Sequence, residues 1–293
     1  MAMVLAVVFA VLTALSNASA TVLQRKAART VPVGRGLGLR LMLRLMRRPV
    51  WFAGIAAVIC AAVFQALALR FGPLALVQPV FVIELPLALL IGSAVLHRRL
   101  PRRGWAAVVA VAAGAGLVLA AAAPSDGRPP QSAAHWAWGL SCAGLVVAAC
   151  AAGAVARPPG GARAALFGAA AAVSYALTAA LMKTAVTRFG EDGAGAFFTA
   201  WQTYAFCAAG ACALVLLSNA MAAGPLVASQ PALTLGDATV SLVLGVVLYE
   251  EDVRLGWWLL PEVAGALLVL AGTLVLAGVQ QDEAMGAPRP SSP

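Results

Sequence analysis

Charge is scarce in this sequence. Only 11% of its 293 residues are Asp, Glu, Lys or Arg, against 62% hydrophobic residues. A soluble chain is about one quarter charged, so these side chains cannot coat a water-facing surface, and the chain needs lipid as its solvent. Acids are scarcest, eleven against twenty basic residues. That basic excess does not point to nucleic acid, which calls for a basic face interleaved with aromatics. The positive residues instead stand in short runs between apolar stretches, where they orient a membrane protein. Histidine occurs twice, as His97 and His135, both at segment ends. Cys60, Cys142, Cys150, Cys207 and Cys212 lie in apolar segments as small filler, without metal-ligand spacing. No His-rich zinc motif, nucleophile–base pair or phosphate-cradling glycine loop appears. The sequence therefore predicts no enzyme, no cofactor and no firm metal site.

What is present is a series of long apolar runs. A bilayer-spanning helix takes about 20 mostly apolar residues, and nine segments qualify: 3–22, 51–71, 73–96, 104–123, 136–157, 163–188, 195–219, 225–249 and 256–279. Rich in Ala and Leu and lacking period-two alternation, they predict helices rather than strands. The expected class is an all-α polytopic membrane protein. Residues 24–50 form a basic connection, whose stretch 34–49 is expected to lie on the membrane surface. Residues 124–135 read as a loop, and 281–293 as a disordered tail. Ala18-Ser19-Ala20 resembles a signal-peptide cleavage site. The basic run that follows resists export, so retention of the first span is expected.

Most basic residues fall on one side of this arrangement: Arg25 to Arg48, Arg98 to Arg103, Arg157, Arg163 and Arg289. That side is expected to be cytoplasmic, with the N-terminus outside and the C-terminus inside. Trp51 and Trp105 then fall at the inner interface, and Trp136, Trp138, Trp257 and Trp258 at the outer. A composition rich in Ala and Arg and poor in Lys points to a bacterial cytoplasmic membrane.

The segment Gly72-Pro73-Leu74-Ala75-Leu76-Val77-Gln78-Pro79 recurs as Gly224-Pro225-Leu226-Val227-Ala228-Ser229-Gln230-Pro231, 152 residues later. Each copy is followed by an acid (Glu84, Asp237), a glycine (Gly92, Gly245) and a Gly-Trp pair (Gly104-Trp105, Gly256-Trp257). Spans two to four thus correspond to spans seven to nine. A shift of five spans is odd, so the halves cross in opposite directions. The sequence predicts inverted-topology repeats, residues 1–123 and 158–280, joined through 124–157. That architecture places a transport site near the midplane, between the repeats.

Glu84 is twelfth in a 24-residue span and Asp237 thirteenth in one of 25. A carboxylate at the centre of a membrane helix costs roughly 3 kcal/mol, so each is expected to face a cavity or a partner and to bind or couple an ion. Pro79, Pro86 and Pro231 are expected to break these two spans, since each removes an N–H and frees a carbonyl. Gln78 and Gln230, beside two of the breaks, are expected to line the pocket. Secondary candidates are Asn17, Gln65, Ser174, Tyr175, Gln202 and Tyr204. Lys183 is expected to snorkel at the outer end, and Glu262 to sit at a solvated interface.

From Pro49-Val50-Trp51 through Leu69-Arg70-Phe71-Gly72-Pro73-Leu74 and Val77-Gln78-Pro79, the chain resembles the EamA-like drug/metabolite transporter superfamily. Ser174, Lys183, Gln230-Pro231 and Tyr249-Glu250-Glu251 extend the likeness into the second half, and its nearest branch is NIPA-like. His97-Arg98-Arg99, without an acid, departs from that pattern. Membership would imply secondary transport of a small solute by alternating access, with the carboxylates coupling protons. The NIPA-like branch would imply a magnesium or other divalent-cation transporter, with Glu84 and Asp237 on the metal. A non-transporting membrane scaffold is the reading from another class. Expected partners are the lipid bilayer and a small solute or cation, with a homodimer left open.

Overall fold

The computed structural model describes residues 1–29, 49–95, 101–125, 127–128, 132–254 and 256–285. Among these residues every regular element is helical. In chain order they are α1 (Ala2–Arg29), α2 (Pro49–Phe71), α3 (Leu74–Phe81), α4 (Glu84–Val95), α5 (Arg102–Ala122), α6 (Ala133–Val155), α7 (Gly161–Thr199), α8 (Trp201–Ala223) and α9 (Leu226–Tyr249). A 3-10 turn, Gly256–Trp258, leads into α10 (Leu259–Met285). With α3 and α4 counted as one crossing, nine segments among the described residues are long and apolar enough to span a bilayer. The chain is a multi-pass membrane protein.

Helix starts follow the prolines. Pro73, Pro101 and Pro225 each stand in extended conformation just before a first turn, where a missing N–H costs nothing and the chain is held out of the helix. Two boundaries differ from the expected ones. α7 runs on past residue 188 to Thr199, with a kink at Gly193 (φ 82°), so the next helix starts at Trp201 rather than 195. α10 continues to Met285, making the first residues of the expected tail helical. The basic stretch 34–49 lies almost wholly outside the described residues, as do His97-Arg98-Arg99.

Lipid offers no hydrophobic drive between helices, so close van der Waals packing has to hold them. The buried faces are accordingly built from small residues. In α1, Ala6, Ala10, Ala14 and Ala18 recur every fourth position, all fully buried, and give one smooth stripe for α2, α3 and α4. Gly114 of α5 and Gly265 of α10 meet back to back; a Cβ on either would come within 2.6–2.7 Å of the other's carbonyl oxygen. The large apolar side chains point outward instead, among them Leu145, Val247 and Leu260. Of the expected aromatic belt, Trp105, Trp138, Trp257 and Trp258 are exposed. Trp136 is not: it is buried, with its ring edge-on to Trp201 at 5.5 Å.

Candidate functional site: a broken helix, two acids and a buried ion pair

The third crossing is broken at Val82–Ile83. Val82 N–H donates to Pro79 O at 3.3 Å and Ile83 N–H to Val80 O at 3.2 Å. These three-residue spacings tighten and end α3. Pro86 is the cause: it has no N–H for the Val82 carbonyl, and its ring collides with that carbonyl. Pro79 and Pro231, expected to break their spans as well, lie inside α3 and inside the continuous α9.

Glu84 opens α4 directly after the break. Its Oε2 accepts from Asn17 Nδ2 at 3.3 Å, tying it to α1. Asp237, midway along α9, lies within electrostatic reach of Glu84, and Tyr175 of α7 lies within reach of both acids. The Asp237 Oδ1 is buried without a hydrogen-bond partner. Ser241 stands one turn further along beside this carboxyl, and its hydroxyl makes no hydrogen bond of ordinary geometry. Four elements thus bring two acids, an amide and a phenol together inside the bundle. Two acids side by side repel each other unless a proton or a cation is shared between them, so the group is built to load one.

The other candidates divide. Gln78 is buried on α3 with its Nε2 unpartnered, and Gln230 is half-buried on α9. Each stands six or seven residues before its acid, roughly 9–10 Å along the helix, so neither glutamine adjoins the carboxylates through its own helix. Ser174 is buried, but its hydroxyl is used on its own helix, donating to Ala170 O at 3.0 Å. Gln65 is half-buried on α2. Gln202 is buried at the start of α8 with its Oε1 unpartnered. Tyr204 does not belong to a pocket: it is 65% exposed, and its hydroxyl donates to Phe198 O at 2.9 Å. Trp201 is also exposed. Because α8 begins six residues later than expected, both aromatics face outward.

A second polar group escaped the sequence reading. Lys183 does not snorkel. Its Nζ lies 2.5 Å from Oε1 of Glu251, whose side chain is wholly buried, and 4.7 Å from the Tyr249 ring centroid. The same carboxylate accepts from Leu74 N–H at 2.6 Å and Ala75 N–H at 2.9 Å, closing the open N-terminus of α3. Gly245 lies beneath it with no room for a Cβ. Tyr249 donates to the Ala180 carbonyl, and its hydroxyl is 2.7 Å from Thr184 Oγ1. Loop bonds Ser125 N–H to Asp252 O and Arg254 N–H to Ala122 O, both 3.0 Å, brace the turn. The only sequence signals were Lys183 within an apolar run and the Tyr249-Glu250-Glu251 motif.

Comparison with known proteins adds one relative. The chain is 28% identical over 270 residues, 91% of its length, to an uncharacterized protein of Corynebacterium glutamicum, covering 92% of that protein. No family model matches the chain, and no solved structure matches it.

Proposed function

We propose that the chain is a secondary transporter of a small solute, working by alternating access and coupled to protons through Glu84 and Asp237. The observation that carries this reading is the meeting of those two acids, one from each half, inside the bundle with Asn17 and Tyr175. Intramembrane acids are costly, and they persist where they serve a pathway or a relay. The helix pairings support an inverted repeat: α1 packs on α2 as α7 packs on α8, and α1 packs on α3 and α4 as α7 packs on α9. The pairs α3–α9 and α5–α10 would then lie on the pseudo-twofold axis, with α6 outside it. The charge distribution supports an outside N-terminus and a cytoplasmic C-terminus in the cell membrane. The resemblance to EamA-like transporters points the same way.

The test is reconstitution of the full chain into liposomes carrying an internal pH dye. A metabolite panel and magnesium are screened against an imposed pH gradient. Solute-dependent proton flux should appear in the parent and fall at least tenfold in Glu84→Gln and Asp237→Asn. Magnesium entry without proton movement would replace this reading with the divalent-cation one. No flux in the parent, with both variants leaving cells unaffected, would leave a scaffold.

A further inference from the structure

α3 is an unusual membrane helix. It has eight residues, and Leu74 through Val80 are all buried. One end is held by side chains of the opposite half, because Glu251 accepts from its first two N–H groups while paired with Lys183. The other end is the turn at Val82–Ile83, where the helical ladder to α4 is interrupted and Glu84 follows directly. At 1.5 Å per residue, α3 puts only ~12 Å between the buried ion pair and the carboxylate pair.

A buried ion pair is a poor device for stability alone, because its desolvation cancels most of the attraction, and apolar residues of similar volume hold a core as well. It is a good device for a contact that must form in one geometry and release in another. The arrangement is also one-sided. α9, the counterpart of α3–α4, runs unbroken from Leu226 to Tyr249, and no described side chain accepts from its first N–H groups.

We propose that α3 is a hinged gate, latched at its N-terminus by Glu251 and Lys183 and pivoting at Val82–Ile83. Its release opens the Glu84–Asp237 pair to the end of the bundle where α9 finishes. This rests on the transport reading for its purpose, but its tests read no transport. Release requires the carboxylate to leave Leu74 and Ala75 as it parts from Lys183. The turn then absorbs the rotation, and α4 with Glu84 stays against α1.

Two measurements on the full chain in nanodiscs decide it. In a background lacking the five native cysteines, Val77→Cys on α3 and Leu276→Cys on α10 replace fully buried residues and are labelled with a water-soluble maleimide. Adding Lys183→Met or Glu251→Gln should speed labelling of Val77→Cys at least tenfold and leave Leu276→Cys unchanged. No acceleration, or equal acceleration at both sites, overturns the proposal. In the unaltered chain, amides of residues 76–81 should exchange with deuterium at least tenfold faster than those of 238–249 on α9, despite deeper burial; equal protection overturns it too. The second measurement stands even if the latch variants do not fold. Should Glu84→Gln and Asp237→Asn leave flux untouched while both results hold, the transport reading fails and the hinged helix survives.

Discussion

Replacing Lys183 with Met removes the cation from a carboxylate that has no route to water. The Glu251 side chain is 0% exposed and that of Lys183 12% exposed, so solvent screens the pair little. Removing one partner of such a pair costs about 3–5 kcal/mol, mostly because a charge is left buried and uncompensated. Glu251 keeps two backbone donors from α3, and a buried helix N-terminus is worth up to ~2 kcal/mol to an anion. The low end applies, so Lys183→Met should cost ~3 kcal/mol. Glu251→Gln should cost less, about 1–2 kcal/mol, because Gln still offers an acceptor to α3 and the freed ammonium can move toward solvent. The double variant buries neither charge, so its loss should fall short of the two single losses combined by ~1.5 kcal/mol or more. Equilibrium unfolding of the four proteins in one detergent measures this cycle. Additivity within ~0.5 kcal/mol would refute the idea that the carboxylate depends on the lysine.

Other outcomes follow from single contacts. Gly114→Ala and Gly265→Ala each drive a methyl into opposing backbone and should each cost ~2 kcal/mol or more, while Gly116→Ala, with open space in its place, should be neutral in the same unfolding assay. Tyr204→Phe should leave uptake unchanged because that ring faces outward, whereas Tyr175→Phe, beside both acids, should reduce solute-dependent flux at least fivefold in liposomes. Pro86→Ala should restore the bond to the Val82 carbonyl and slow deuterium exchange in residues 76–81 toward the rate of α9.

The spans were legible because a bilayer imposes them: with no water in the hydrocarbon, every backbone group must be bonded within its helix, and length and composition betray such a segment. The acids were legible for a related reason. Glu84 and Asp237 lie so far from either end of their spans that no rotamer could bring them to water. Lys183 and Glu251 were not, because each passes locally for something ordinary. Lys183 sits within reach of a span end, and Glu251 is the middle member of Glu250-Glu251-Asp252, which looks like a solvated acidic turn. The left-handed backbone at Glu250 (φ 52°) makes the difference. It turns the chain so that Glu250 is exposed while Glu251 points inward under α3. Tyr204 and Trp201 were misplaced through phase. Once Gly193 kinks α7 and α8 begins six residues later, a face expected to turn inward turns outward instead.

The two halves also show how a repeat departs from symmetry through one residue. Pro79 and Pro231 occupy matching places, and the structure tolerates both within helices. One proline forfeits one bond, and a helix with intact ladders above and below can bend around it. The first half adds Pro86, seven residues on, where the second half has Thr239. Its ring excludes the Val82 carbonyl from the helix and disfavours helical geometry at Leu85. Pro79 has already weakened the turn before, so the segment between the two prolines has too few bonds left to stay in register, and it tightens at Val82–Ile83. The counterpart acids therefore differ in setting. Asp237 lies within a continuous helix, where its motion is that of the whole of α9. Glu84 is the first helical residue after a joint, held to α1 through Asn17, while the helix before it is tied to the other half through Glu251. A strictly symmetric pair would give the bundle the same stiffness toward both faces. The extra proline makes one face the easier to open.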